Sequence, residues 1–124
     1  MREAVKVWAT PTRLTLVEDG EKAVRFLRRE GAYASAPVPD LIVLDLNLPK
    51  KNGTEVLRDI KSDENLAFIP VIVLTTSDRD SDVRNAYQLH ANCYLTKPLE
   101  MDDFIEKVRA IEQFWFCHVR LPRP

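Results

Sequence analysis

The sequence predicts an α/β protein built on an open parallel sheet with helices on both faces, and three apolar runs carry that prediction. Residues 39–49, Pro-Asp-Leu-Ile-Val-Leu-Asp-Leu-Asn-Leu-Pro, read as an unbroken hydrophobic strand that delivers the carboxylate of Asp45 to its end. An apolar run without alternation is what a parallel strand covered on both faces looks like. Residues 71–77, Val-Ile-Val-Leu-Thr-Thr-Ser, repeat the pattern and finish in hydroxyls, and Cys93-Tyr-Leu-Thr-Lys-Pro98 finishes in a lysine. Strands alternating with helical stretches of about 10–15 residues imply parallel pairing through right-handed crossovers.

The remaining elements follow in order. Residues 2–9 have helical spacing, with Val5 and Trp8 on one face, and are stopped by Thr10-Pro11-Thr12. Residues 13–18, Arg-Leu-Thr-Leu-Val-Glu, alternate and read as a strand, which Asp19-Gly20 turns. A helix over 21–29 follows, with Val24, Phe26 and Leu27 on its apolar face and Gly31 as its stop. After the strand that ends at Asp45, residues 48–53 form an exposed loop, and a helix over 54–62 turns Val56, Leu57 and Ile60 inward. Ser77 and Asp78 read as caps for a helix over 80–89, and Ala91-Asn92 turns into the strand around Tyr94. Apolar residues at 104, 105, 108, 111 and 114 form the stripe of a last helix.

Length and composition fit one domain spanning 1–124: the chain has 124 residues, 45% of them apolar and 30% charged. A net charge of -1 with scattered Lys and Arg leaves no electrostatic footprint for nucleic acid or an acidic membrane surface. The apolar runs are far shorter than the ~20 residues that span a bilayer, and the start has no signal-peptide core, so a cytoplasmic location is expected. Cys93 and Cys117 lack metal-ligand spacing and read as ordinary thiols, with neither disulfide nor zinc. With only three glycines and no Gly-rich loop after a strand, a nucleotide-binding enzyme is disfavoured.

In open α/β sheets, chemistry sits in the crevice beyond the carboxyl ends of the strands. An acid (Asp45), a hydroxyl (Thr75) and an ammonium (Lys97) on three strand tips suit the acceptance of a phosphoryl group. A carboxylate can attack phosphorus and form an acyl phosphate, while hydroxyl and ammonium groups neutralise charge on the transferred oxygens. The set matters more than its members. Lys97 alone would be a solvated loop lysine, Tyr94 a packing aromatic, His90 a helix-end histidine, and Lys50 and Lys51 solvated loop charges. Phe114, Trp115 and Phe116 are consecutive, so they cannot all face one core, and at least one ring reaches the surface unless another chain covers it.

These motifs, in this order and spacing, resemble the receiver domain of two-component response regulators, over residues 13 to the end. The resemblance implies a flavodoxin-like fold with strand order 2-1-3-4-5 and a non-enzymatic switch whose only chemistry is self-assisted phosphotransfer. It makes Asp45 the phosphoacceptor, Thr75 the switch hydroxyl, Tyr94 the aromatic switch, Lys97 the site ammonium, and Pro98 the proline after a cis peptide bond. It also implies Mg²⁺, held by Asp45 and the backbone carbonyl of Asn47. More closely, residues 89–98 and the tail 111–122 resemble small stand-alone regulators that partner phytochrome-type histidine kinases, which makes such a kinase the expected partner. The aromatic extension 114–124, the last helix, the Tyr94 strand and the third helix are the expected surface for a homodimer or for kinase docking.

Receivers carry an acidic pair at the end of their first strand. One strand, one helix and their loops take roughly 20 to 25 residues, so two such units place that pair ~45 positions before Asp45. On this count residues 1–12 are a remnant of the first helix and its loop, 13–18 are the second strand, and the first strand precedes Met1. Alternatively the 13–18 strand shifts beside the Asp45 strand and brings Glu18 and Asp19 to the metal, or another subunit supplies the partner. The rival function is a pseudo-receiver, an interaction module that keeps the fold and takes no phosphoryl group.

Overall fold

The computed structural model describes residues 15–122. Val17–Thr96 form one compact unit, and Lys97 onward, with residues 15–16, belong to a second. The first unit contains α1 (Gly20–Leu27), β1 (Ile42–Leu44), α2 (Gly53–Ser62), β2 (Val71–Thr75), α3 (Asp80–Gln88) and β3 (Cys93–Thr96). Its strands form a parallel sheet in the order β1-β2-β3. Parallel neighbours cannot be joined by a tight turn, and α2 and α3 supply the crossovers.

Burial follows position in the sheet. All five residues of β2 are buried, as expected for Val, Ile and Leu between two neighbours, whereas β1 buries only Leu44. The fully apolar β1 run predicted a strand covered on both faces. As the last strand on its side among the described residues, it leaves Ile42 and Val43 half-buried. The core joins Val56, Leu57 and Ile60 of α2 to Leu44, Ile69, Val71 and Val73, with Val24 and Leu27 of α1.

The helices start where polar side chains satisfy their first N–H groups. Asp19 caps α1 by accepting from Lys22 N–H at 2.8 Å, and Asn52 caps α2 by accepting from Glu55 N–H at 3.0 Å. Helix α3 begins after Arg79, which makes no side-chain cap, rather than at Ser77 or Asp78. Ser77 instead donates its hydroxyl to Asp82 in the first turn. The end of α1 differs from expectation as well: Arg29 takes the left-handed conformation directly after the helix, with φ 58°, and Gly31 follows it at φ 53°. Gly31 opens a short 3₁₀ turn, Gly31–Tyr33, and Tyr33 packs edge-on against Phe26 with ring centroids 5.5 Å apart. The loop before β2 is tied down by Lys61, whose ammonium donates to the carbonyls of Ala67 and Ile69 at 3.0 and 2.8 Å. Burial lowers the pKa of that amine.

Two expected elements near the start need correction or lie elsewhere. The helix over 2–9, the remnant 1–12 and residues 13–14 lie outside the described residues. Residues 15–18, the rest of the expected strand, are in no strand. Alternation gives a segment an extended preference, but a strand forms only where a neighbour completes the ladder.

In the second unit, Met101–Glu112 form α4, which runs into a π-helical turn over Gln113–His118. Val108 and Ile111 of the predicted stripe are buried, but Phe114 is exposed. At this point the helix passes into the π turn, where a bond from Val119 N–H to Phe114 C=O spans five residues. The Lys97–Pro98 peptide, expected cis, is trans, as are all peptide bonds among the described residues. Trans is the commoner isomer before proline and is favoured by roughly 0.5–1 kcal/mol.

Candidate functional site

The parallel register decides which side chains meet. Leu44 pairs with Val73 and Thr75 with Thr96, so β1, β2 and β3 finish at the same edge of the sheet. Asp45 follows β1 directly and Thr75 ends β2. The Thr75 hydroxyl, fully buried, donates to Asp45 Oδ1 at 3.2 Å. The same oxygen accepts the backbone N–H of Asn47 at 2.9 Å, an Asx-type turn that fixes the carboxylate's rotamer. The Asn47 amide reaches Thr75 Oγ1 at 3.4 Å. The acid and the hydroxyl expected at strand ends are thus brought together, joined by the side-chain amide of Asn47.

The turn after Asp45 is built by close backbone approaches. A Cβ on Gly53 would lie 2.2 Å from the Asp45 carbonyl oxygen, so only glycine lets α2 start there. Further along the turn, the Pro49 carbonyl accepts from Lys51 N–H at 2.8 Å and from Gly20 N–H at 3.2 Å. The bond across two residues, with Lys50 at φ 67°, makes a γ-turn of the left-handed kind. For a non-glycine residue such a strained backbone costs of order 1–3 kcal/mol. Lys50 and Lys51, read as solvated loop charges, both have partners. Lys51 pairs with Asp59, and the Lys50 ammonium lies 4.0 Å from Asp19. The shifted-strand arrangement, with Glu18 and Asp19 as metal ligands, is not found. Asp19 is buried and its carboxylate is engaged as the cap of α1.

Tyr94 is half-buried on β3 and packs against the core. Its hydroxyl donates to the Ser77 carbonyl at 2.9 Å, in the loop that follows Thr75. Desolvation raises its pKa; the Ser77 bond opposes the rise, and the carboxylates of Asp82 and Asp78 add to it. A phenol whose folded value lies above its ordinary 10.0 stabilises the fold fully below that pH and loses the contribution as pH rises through the folded value. In an ultraviolet titration, Tyr94 is therefore expected to ionise above the ordinary phenol value, as a late component. The late-ionising component should vanish in Tyr94→Phe, and its persistence there would assign the shift to another tyrosine.

The hard-oxygen donors at Asp45 and Asn47 are of the type Mg²⁺ prefers. Among the described residues, however, no group of three metal-ligating side chains assembles. A single carboxylate does not hold a divalent ion on its own, so these residues do not fit the metal and no step below is routed through one. Mg²⁺ is expected to bind this chain more weakly than about 1 mM, at or beyond the weak end of oxygen-ligand cation sites. Tighter calorimetric binding that is lost in Asp45→Asn would show that residues outside 15–122 complete the site.

Of the predicted residues, Asp45, Asn47 and Thr75 form one cluster, and Tyr94 reaches the loop after Thr75. Lys97 and Pro98 open the second unit, which also holds Phe114, Trp115 and Phe116. Phe114 is exposed and meets Trp115 edge-on, ring centroids 5.5 Å apart. Sequence reading missed the Asn47 side chain, the Ser77 carbonyl and the Gly20 contact. Only the Asp-Gly and Asn-Gly dipeptides hinted that backbone would approach closely there.

A parallel sheet whose strand ends gather an acid and a buried hydroxyl matches the receiver class. The chain belongs to the response regulator receiver domain family, which matches residues 1–109. It has the flavodoxin-like receiver fold and is a response regulator of two-component phosphorelay signalling. Over 98% of its length and 83% of the relative's, it is 47% identical to response regulator Rcp1 of Synechocystis sp.. The crystal structure of a Mn²⁺-bound form of Rcp1 superposes with a TM-score of 0.93 at 47% identity, covering 98% of this chain and 88% of that one. A phosphorylated cyanobacterial phytochrome response regulator, RcpA, gives 0.94 at 48% identity, covering 98% and 87%. No helix among the described residues is long and apolar enough to cross a membrane.

Proposed function

We propose that Asp45 is the phosphoacceptor, with Thr75 and Lys97 as the groups that stabilise the transferred phosphoryl and Tyr94 as the reporter of its presence. The observation that carries this reading is the 3.2 Å contact from the buried Thr75 hydroxyl to Asp45 Oδ1. An Asp45 oxygen attacks the phosphorus of a phosphohistidine, the P–N bond breaks, the imidazole leaves with the electron pair, and an acyl phosphate remains. The product adds about -1.5 to -2 charge and three acceptor oxygens. Thr75 already faces Asp45, so the new charge strengthens an existing contact. Tyr94 is bonded to the loop just beyond Thr75, which ties a shift there to the β3 surface.

The donor we infer is a phytochrome-type histidine kinase, on the strength of the 48% identity to a phytochrome response regulator. Residues 1–124 are read as one receiver domain that works in the cytoplasm, without a nucleic-acid or membrane partner. Its association surface, as a homodimer, is formed by α4 and the aromatic tail, where Phe114 is 54% exposed. The test is incubation with acetyl phosphate, followed by borohydride reduction of the acyl phosphate and peptide mapping. Label on the peptide that contains Asp45 is expected. Label elsewhere, or none, would overturn the assignment.

A further inference from the structure

We propose that Asp19, Gly20 and the left-handed turn at Lys50 form a clasp that positions the Asp45 carboxylate for phosphoryl acceptance. The inference rests on Asp45 being the acceptor and extends the site to the start of α1. The clasp consists of contacts between segments distant in sequence. Gly20 N–H and Lys51 N–H both donate to the Pro49 carbonyl, at 3.2 and 2.8 Å. Gly20 sits so close to the turn that a Cβ would lie 1.8 Å from the Lys51 carbonyl oxygen. Asp19, only 5% exposed, holds the first turn of α1 through Lys22 N–H and faces the Lys50 ammonium at 4.0 Å.

The other end of the same turn is pinned to the acceptor. Gly53 N–H donates to the Leu46 carbonyl at 3.0 Å, and Asn47 N–H donates to Asp45 Oδ1 at 2.9 Å. The backbone between Asp45 and α2 therefore has little freedom, and the rotamer of the nucleophile is set by an amide inside that span. Lys50 has φ 67°, a conformation that a lysine keeps only when its surroundings impose it. Gly20, Asp19 and the doubly accepting Pro49 carbonyl are those surroundings. Their effect on the reaction is orientation: an ångström of displacement of a reacting group costs on the order of 100-fold in rate. The Lys50 side chain is 61% exposed, so its pairing with Asp19 is screened and the turn geometry is the larger effect.

The test compares rates of acyl-phosphate formation from acetyl phosphate in the full chain, at a temperature where circular dichroism shows each variant folded. Lys50→Val, whose β-branched side chain resists positive φ, is expected to slow acceptance by about tenfold or more. Lys50→Gly lacks the ammonium but takes positive φ freely, and should rescue the rate to within about twofold of wild type. Asp19→Ala removes the cap and the charge without a steric demand and should slow acceptance, which keeps the proposal open to refutation if Lys50→Val does not fold. Folded Lys50→Val or Asp19→Ala at the wild-type rate would overturn it, leaving the turn purely structural. Lys50→Gly as slow as Lys50→Val would also overturn it, by assigning the effect to the ammonium. If wild type gains no phosphoryl group on Asp45, the acceptor assignment fails. If wild type gains it and the variants match wild type, only the clasp fails.

Discussion

Asp45→Asn is expected to abolish phosphoryl gain while leaving the fold in place. The amide keeps an oxygen where Asp45 Oδ1 accepts from Asn47 N–H and from the Thr75 hydroxyl, so both contacts survive. Net contributions of such bonds are about 1 kcal/mol each, and a change within ~1 kcal/mol is expected in chemical denaturation. The chemistry, by contrast, depends on a carboxylate oxygen that carries charge, and a neutral amide does not attack phosphorus at a useful rate. Intact mass after acetyl phosphate treatment measures the first part and denaturant unfolding the second. Gain at the wild-type rate would move the acceptor elsewhere. A large stability loss would mean that the charge itself holds the strand end together.

Leu57→Ala is the substitution with the largest expected effect on stability. Leu57 is 0% exposed and sits on α2 between Val56 and Ile60, in the cluster that includes Ile69, Val71 and Val73. Its removal deletes buried methyl groups and leaves a cavity that strand residues cannot collapse into without disturbing the ladder, a combination worth about 2–5 kcal/mol. Against a total of roughly 5–15 kcal/mol, that is a large share. A melting temperature lower by roughly 10 °C or more should follow. Leu99→Ala, at a residue 99% exposed, is the control and should stay within about 0.5 kcal/mol. A loss under ~1 kcal/mol for Leu57→Ala would show that α2 does not anchor the core.

Much of this was readable from local pattern. Runs of Val, Ile and Leu marked β1 and β2, the Cys93-Tyr94-Leu95 stretch marked β3, the Val56-Leu57-Ile60 spacing gave the buried face of α2, and Asp45 and Thr75 fell where strands end. These features depend on unbroken apolar runs and a 3.6-residue period, which the chain carries wherever it lies. Even the exposure of one ring in Phe114-Trp115-Phe116 followed from helical geometry, although which ring it would be did not.

Other features depended on groups far apart in sequence. Residues 15–18 had the pattern of a strand but, among the described residues, no neighbour to complete a ladder. Asp19 could have been a metal ligand or a cap, and the proximity of Lys22 N–H made it a cap. Lys50 and Lys51 looked solvated until Asp19 and Asp59 were placed beside them. The isomer before Pro98 and the π turn that ends α4 were likewise settled by folding. By itself, then, the sequence determined β1, β2 and β3, the face α2 buries and the polar groups at the strand ends. Only the tertiary structure decided strand pairing, ion pairs and the strained turn at Lys50, because each needs a partner that chain order does not supply.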